Sequence, residues 1–269
     1  MRYKRALMAQ TSPLLTIMIA AARKAARGLS RDFGEVEHLQ VSKKGPADFV
    51  SAADTRAEKV LFEELSKARP GYGFLMEERG VVEGTDRTHR FLVDPLDGTL
   101  NFLHGLPHFA ISIALEREGE LIAGVVYDVA KNELFWAEKG RGAFLNDRRL
   151  RVSARTRLSE SIIATGIPFR GKPGHDLFRE ELARLTPEVA GIRRFGSAAL
   201  DLAYVAAGRY DGFWERGLAP WDLAAGAVLV REAGGLAREL DGQDFLQTGS
   251  ILASNAGLGG ELAKLLAKR

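Results

Sequence analysis

Three separated groups of carboxylates are the residues best suited to chemistry in this 269-residue chain. The densest is Phe91-Leu92-Val93-Asp94-Pro95-Leu96-Asp97-Gly98-Thr99-Leu100-Asn101-Phe102. An apolar strand runs straight into Asp94 and Asp97, and Pro95 stiffens the turn between them. Their oxygens can converge there with the peptide carbonyl of Leu96. Hard oxygen donors of this kind suit magnesium. Gly98 lets backbone approach closely, and a helix starting near Thr99 would aim unpaired N–H groups at a phosphate. Asp, Pro and Gly are also the material of ordinary turns, so this run alone leaves catalysis and a plain turn both open.

The other two groups are plainer. Phe74-Leu75-Met76-Glu77-Glu78 ends an apolar stretch on adjacent carboxylates, which elsewhere would be a solvated loop. Trp221-Asp222-Leu223-Ala224-Ala225-Gly226 sets an aspartate at the start of an apolar helix, the place of an ordinary N-cap.

The elements that must position these groups follow from periodicity. Ser12 and Pro13 open a first helix whose apolar face is Leu14, Leu15, Ile17, Met18, Ala21, Ala22 and Ala25. Residues 36–41 and 49–53 read as short extended pieces, followed by a helix over 55–68 that stops at Pro70-Gly71. Strands are predicted over 90–93, 109–116, 121–128 and 133–137. Glu118-Gly119 is a hairpin turn, so the last three must be antiparallel. From about residue 155 strands and helices alternate: strands over 162–164, 193–195 and 210–214, helices over 176–185, 198–207 and 222–233. That pattern predicts an α+β first part, residues 1–154, and an α/β second part, residues 155–269, packed as one catalytic unit.

Composition narrows the class. The chain is 46% apolar and 27% charged, so it can bury a sizeable core. Its 38 basic and 35 acidic residues leave a net charge of only +3, too little to argue for nucleic acid. The absence of cysteine excludes disulfides, zinc-thiolate sites, iron–sulfur clusters and a thiol nucleophile. Arg2, Lys4, Arg5, Arg23, Lys24, Arg27 and Arg31 flank an apolar run over 13–22, the outline of a signal or transit peptide. That run is too short to span a bilayer, and Arg23-Lys24 stands where a small-residue cleavage site would lie. A cytoplasmic protein is the expectation, with no membrane association.

Taken together, the three carboxylate motifs resemble the inositol monophosphatase family of magnesium-dependent, lithium-sensitive phosphatases. Asp94 to Phe102 matches the family's strand entering Asp-Pro-hydrophobic-Asp-Gly-Thr with Asn-Phe after it, and Trp221 to Gly226 matches its Trp-Asp motif. Lys43-Lys44-Gly45-Pro46-Ala47-Asp48 resembles the family's lysine loop, and the run 51–54 its aspartate preceding the second helix. Order and spacing agree over roughly residues 12–266.

The resemblance implies a layered αβαβα sandwich of the inositol monophosphatase and fructose-1,6-bisphosphatase type, usually a homodimer, hydrolysing phosphate monoesters at two or three magnesium ions, with lithium as inhibitor. By position it makes Glu77, Asp94, the Leu96 carbonyl, Asp97 and Asp222 metal ligands. Glu77 and Thr99 would orient the attacking water, Thr99 backed by Asp54, and the amides of Gly98 and Thr99 would hold the phosphate. Lys43 matches the active-site lysine. Glu215 and Gly196-Ser197-Ala198 match the walls that contact the substrate, together with Asp97 and Asp222. A carboxylate at 215 fits a polyol, so inositol 1-phosphate is the expected substrate. Histidinol phosphate, fructose 1,6-bisphosphate and 3′-phosphoadenosine 5′-phosphate are the alternatives. Met76, Ala219 and Pro220 depart from the family pattern and bear on the mobile loop and the pocket rim.

Other motifs lead nowhere as strong. Gly166-Ile167-Pro168-Phe169-Arg170-Gly171-Lys172 outlines a P-loop, but Pro173 replaces the hydroxyl such a loop needs. His104 and His108 lack the intervening glutamate of a zinc protease, and Pro107 forbids a regular helix. Tyr210, Phe213 and Trp214 read as a core strand rather than a base-stacking platform. The basic cluster Arg148, Arg149, Arg151, Arg155 and Arg157 could serve an RNA-associated or regulatory binding role, against which solvated surface is the plainer reading.

Overall fold

The structure is a computed structural model that describes residues 11–35, 41–45 and 48–267, with the side chains of 41–51 excluded. Helix α1 (Pro13–Phe33) starts as the sequence predicts: Ser12 Oγ accepts from Leu15 N at 3.2 Å, and Pro13 occupies the first turn. Its buried face is Leu15, Met18, Ala22, Ala25 and Leu29. Strands β1 (Val41–Gly45) and β2 (Asp48–Ser51) form an antiparallel hairpin. The predicted extended piece over 36–41 lies, apart from Val41, outside the described residues. Helix α2 (Ala52–Ala68) begins three residues earlier than predicted. Asp54 therefore falls inside its first turn instead of preceding it, where a carboxylate complements the helix dipole.

Next come β3 (Tyr72–Met76), β4 (Gly80–Val82), β5 (Asp86–Asp97), α3 (Thr99–Leu103), β6 (Ala110–Arg117), β7 (Glu120–Asp128), β8 (Glu133–Glu138), β9 (Gly142–Leu145) and β10 (Arg148–Arg149). They build an eight-stranded sheet in the order β10-β9-β8-β7-β6-β5-β3-β4. As predicted, β6, β7 and β8 are antiparallel, and Glu118 and Gly119 both take positive φ in the first hairpin. The rest of the chain forms β11 (Ile162–Thr165), α4 (His175–Leu185), β12 (Gly191–Arg193), α5 (Ala198–Ala206), β13 (Gly212–Glu215), α6 (Pro220–Glu232), β14 (Leu236–Arg238), α7 (Phe245–Thr248), β15 (Ile251–Ser254) and α8 (Gly259–Leu266). These strands make a five-stranded sheet, β12-β11-β13-β15-β14, parallel around β11 and antiparallel around β15. The strand predicted over 193–195 ends at Arg193, because Gly196 at φ 88° turns the chain away from the sheet.

The layers are α1 with α2, the eight-stranded sheet, α5 with α6, the five-stranded sheet, and α4 with α8. This is the αβαβα sandwich expected of the family. One apolar cluster, including Leu115, Val125 and Trp136, joins the first helices to the large sheet. Another, including Leu202, Phe213 and Leu229, fills the space between the sheets, and a third seats α4 and α8. The central layer is tight. A Cβ on Gly226 would lie 2.4 Å from Leu202 Cβ, and one on Gly124 would lie 2.5 Å from the Ala225 carbonyl oxygen. Among the described residues no helix is long and apolar enough to cross a membrane.

Candidate active site

Strand β5 does not end at Val93 but continues through Asp97. Against β6, Asp94 faces Ser112 and Asp97 faces Ala110, so three steps on β5 match two on β6. The extra residue bulges out beside Pro95, which has no N–H to give the ladder. The bulge is held from within: Leu96 N donates to Asp94 Oδ1 at 2.8 Å. Gly98 at φ 92° then turns the chain into α3, with so little room that a Cβ there would lie 3.1 Å from the His108 carbonyl oxygen.

Parallel pairing brings the second group in. Met76 is in register with Val93, and Glu77 N donates to the Val93 carbonyl at 3.2 Å, so Glu77 arrives beside Asp94. Asp222 arrives on the first turn of α6, where its Oδ2 accepts from Ala219 N at 2.8 Å. The start of α6 is tied to the large sheet by Ser112 Oγ donating to the Trp221 carbonyl at 2.9 Å. Thr99 Oγ1 lies 3.1 Å from Asp54 Oδ1 and 3.0 Å from the Leu96 carbonyl, within donating distance of both.

The electrostatics are those of like charges forced together. Asp94 is raised well above the ordinary carboxylate range by burial, then by the charges of Glu77, Asp97 and Asp222 and a hydrogen bond with Glu77. Burial and the Asp97 charge likewise raise Asp222. Asp97 is raised by burial, opposed by hydrogen bonds from Ser197 and the Ala199 and Ala198 amides and by the Arg194 charge. Among the described residues no three Asp, Glu or His side chains are arranged to hold a metal ion. Glu77 and Asp94 instead meet through a shared hydrogen bond, the arrangement that lets neighbouring carboxylates relieve their repulsion. The donor set nevertheless fits magnesium: it is all hard oxygen, and a cation among these carboxylates would reverse both the burial penalty and the repulsion.

Beside the carboxylates opens a cavity of about 410 Å3, whose walls include Glu77, Asp222, Glu215, Trp221, Phe169 and Lys172. Glu215 is pushed up to about 8 by burial, with Arg194 opposing and Asp97 adding to the rise. The resemblance also implies that Gly196, Ser197 and Ala198 wall the substrate pocket. None of the three lines this cavity, and the Ser197 hydroxyl is turned onto Asp97 Oδ2 at 2.5 Å. The backbone of Lys43 lies in β1 opposite Phe49, and its side chain lies outside the described residues.

One residue escaped the sequence reading. Glu58 on α2 is buried and its Oε2 accepts from Glu78 N at 2.7 Å and Arg79 N at 3.2 Å, holding the turn that carries Glu77. The available signal is its spacing: Asp54, Glu58, Leu61 and Leu65 follow one helical face, so Glu58 is a charge in an apolar stripe. Asn101 entered only as a family match. Its Nδ2 donates to the His108 carbonyl at 2.8 Å and the Phe195 carbonyl at 2.7 Å, clasping α3 to the loop before α5.

The family model for the inositol monophosphatase family matches residues 10–269. The chain belongs to the inositol monophosphatase family. It is a phosphatase, a hydrolase of phosphoric monoesters. The chain is 60% identical to an inositol-1-monophosphatase of Mesorhizobium japonicum, over 96% of this chain and 97% of that protein. It is 47% identical to the Nus factor SuhB of Escherichia coli strain K12, over 90% and 91% of the two chains. The crystal structure of the extragenic suppressor protein suhB from Bartonella henselae superposes with a TM-score of 0.93 at 57% identity, covering 96% of this chain and 99% of that one. In this chain the motif from Asp94 to Phe102 lies on the end of β5 and on α3, and Asp222 lies in the first turn of α6.

Proposed function

We propose that this phosphatase hydrolyses the phosphate monoester of a polyol, inositol 1-phosphate first among them, with magnesium held by Glu77, Asp94, the Leu96 carbonyl, Asp97 and Asp222. The observation that carries the reading is the gathering of Glu77, Asp94, Asp97 and Asp222 closely enough for their charges to repel, with Asp94 buried among them, beside a cavity lined by Glu77, Asp222 and Glu215. Bound there, magnesium would supply an activated water and neutralise the phosphoryl oxygens. The chain's own groups do the rest. Thr99 Oγ1, backed by Asp54, orients the water, and Glu77 takes its proton. The amides of Gly98 and Thr99 hold phosphoryl oxygens, and the family resemblance adds Lys43 as the active-site lysine. Water oxygen bonds to phosphorus, the ester P–O bond breaks, and the departing alkoxide takes a proton from a second water, whose hydroxide is neutralised by the proton that Glu77 then releases, giving the free polyol. Glu215 faces the polyol hydroxyls. The name of the Mesorhizobium japonicum relative supports the same substrate.

The test is phosphate release from inositol 1-phosphate under saturating magnesium, with and without lithium, beside histidinol phosphate, fructose 1,6-bisphosphate and 3′-phosphoadenosine 5′-phosphate. Lithium-inhibited turnover led by the inositol ester is expected. Preference for another ester would keep the metal chemistry and overturn the substrate, and activity indifferent to magnesium would overturn both. We also propose a cytoplasmic homodimer. Leu100, Leu106 and Phe195 are 48%, 52% and 46% exposed and belong to the two segments that Asn101 clasps together, α3 with the loop after it and the loop before α5. Sedimentation should give the dimer mass, and Leu106→Asp should give the monomer.

A further inference from the structure

Ser197 stands between the two halves of the molecule. Its Oγ caps α5, accepting from Leu200 N at 3.4 Å, and the same oxygen donates to Asp97 Oδ2 at 2.5 Å. Ala199 N reaches that carboxylate oxygen too, at 2.7 Å. Ser197 is 1% exposed, so water does not compete for its hydroxyl. The loop that carries it is fixed to the segment that carries Asp97: Asn101 Nδ2 donates to the Phe195 carbonyl, and Gly196 turns with φ 88°.

We propose that Ser197 is a positioning residue for Asp97, setting its carboxylate for the cation rather than contacting the polyol. Two donors converging on Oδ2 fix that oxygen and thereby the plane of the carboxylate, which otherwise has like charges for neighbours and every reason to rotate away from them. The bond also registers α5 against β5, so the ligand carried by the large sheet is oriented by a helix of the central layer. A hydroxyl supplies both roles because it accepts from Leu200 and donates to Asp97 with different parts of one group. The inference rests on the reading of Asp97 as a magnesium ligand.

The experiment measures magnesium binding directly by calorimetry, and metal-free thermal stability, for the full chain and its Ser197→Ala, Ser197→Gly, Ser197→Thr and Asp97→Asn variants. Glycine is tolerated at a helix N-cap but cannot donate to Asp97, so Ser197→Gly separates the two roles and also stands in if Ser197→Ala fails to fold. Loss of a hydrogen bond that orients a metal ligand weakens metal binding by about 10-fold to 100-fold, and that loss is expected for Ser197→Gly and Ser197→Ala. Ser197→Thr should restore the wild-type affinity. If Asp97→Asn loses magnesium while Ser197→Gly and Ser197→Ala bind it as the wild type does, with only their stability lowered, Ser197 is a helix cap and the proposal falls alone. If Asp97→Asn binds magnesium unchanged, the ligand reading of Asp97 falls and takes the proposal with it.

Discussion

Gly166 lies against the Glu215 carboxylate so closely that a Cβ at position 166 would stand 1.9 Å from Glu215 Oε1. Strand β11 ends at Thr165, so Gly166 is the first residue of the loop that walls the cavity, and β13, its neighbour in the sheet, ends on Glu215. Only the absence of a side chain at 166 lets the carboxylate occupy this place. Gly166→Ala should push Glu215 out of position and lower kcat/KM for a polyol ester by about 10-fold or more, the worth of a hydrogen bond to a charged group. Turnover of p-nitrophenyl phosphate, whose leaving group has no hydroxyls to recognise, should change little. Equal losses on both esters would show that Glu215 does not select the polyol.

The titration of Glu215 has a definite sign. Its carboxyl rises from 4.5 to about 8 on folding, first because it is buried. Between those values the folded protein holds a proton that the unfolded chain has released. Stability from this group is therefore complete below about 4.5 and is lost as pH rises towards 8. Melting temperatures of the metal-free protein across that range should fall with pH, and Glu215→Gln, which keeps the shape without the proton, should flatten the fall. A Gln variant as steep as the wild type would assign the slope to other groups.

In the central layer the limiting contact is Gly226 of α6 on Leu202 of α5, where a Cβ would sit 2.4 Å from Leu202 Cβ and 2.6 Å from its Cδ1. Both helices are buried between the sheets and neither can retreat. Overpacking a core in this way costs about 1–3 kcal/mol. Gly226→Ala should lower the urea midpoint accordingly with the slope unchanged. An unaltered midpoint would mean that the two helices separate more easily than their packing indicates.

The sequence revealed what local chemistry determines. Helix α1 was legible because Ser12, Pro13 and an apolar period coincide, and β6 to β8 because alternation and the Glu118-Gly119 turn agree. The strand character of Asp94 to Asp97 was hidden, since Asp and Pro read as a turn until β6 supplies the partner that accommodates a bulge. Short strands such as β14 and β15 carry too few residues to show a period and exist through their pairing. The carboxylates were visible by type, yet their convergence depends on Met76 pairing with Val93 and on α6 packing under β6. The bond between Ser197 and Asp97 joins residues 100 apart, beyond any local pattern.

Thr99 offers the sharpest separation of chemistry from binding. Its hydroxyl has one hydrogen and two acceptors within reach, Asp54 Oδ1 and the Leu96 carbonyl, so a proton given to either leaves its lone pairs directed elsewhere. With Asp54 fully buried in the first turn of α2, the carboxylate is the stronger acceptor and holds the hydroxyl in one orientation. Thr99→Ser should retain most activity because the hydroxyl survives. Thr99→Ala should lower kcat by about 100-fold, the worth of holding the attacking water in a productive geometry, with KM nearly unchanged. Asp54→Ala should lower kcat in the same sense but less, since the Leu96 carbonyl still accepts from Thr99. A rise in KM at constant kcat for Thr99→Ala would instead place Thr99 among the groups that merely hold the phosphate.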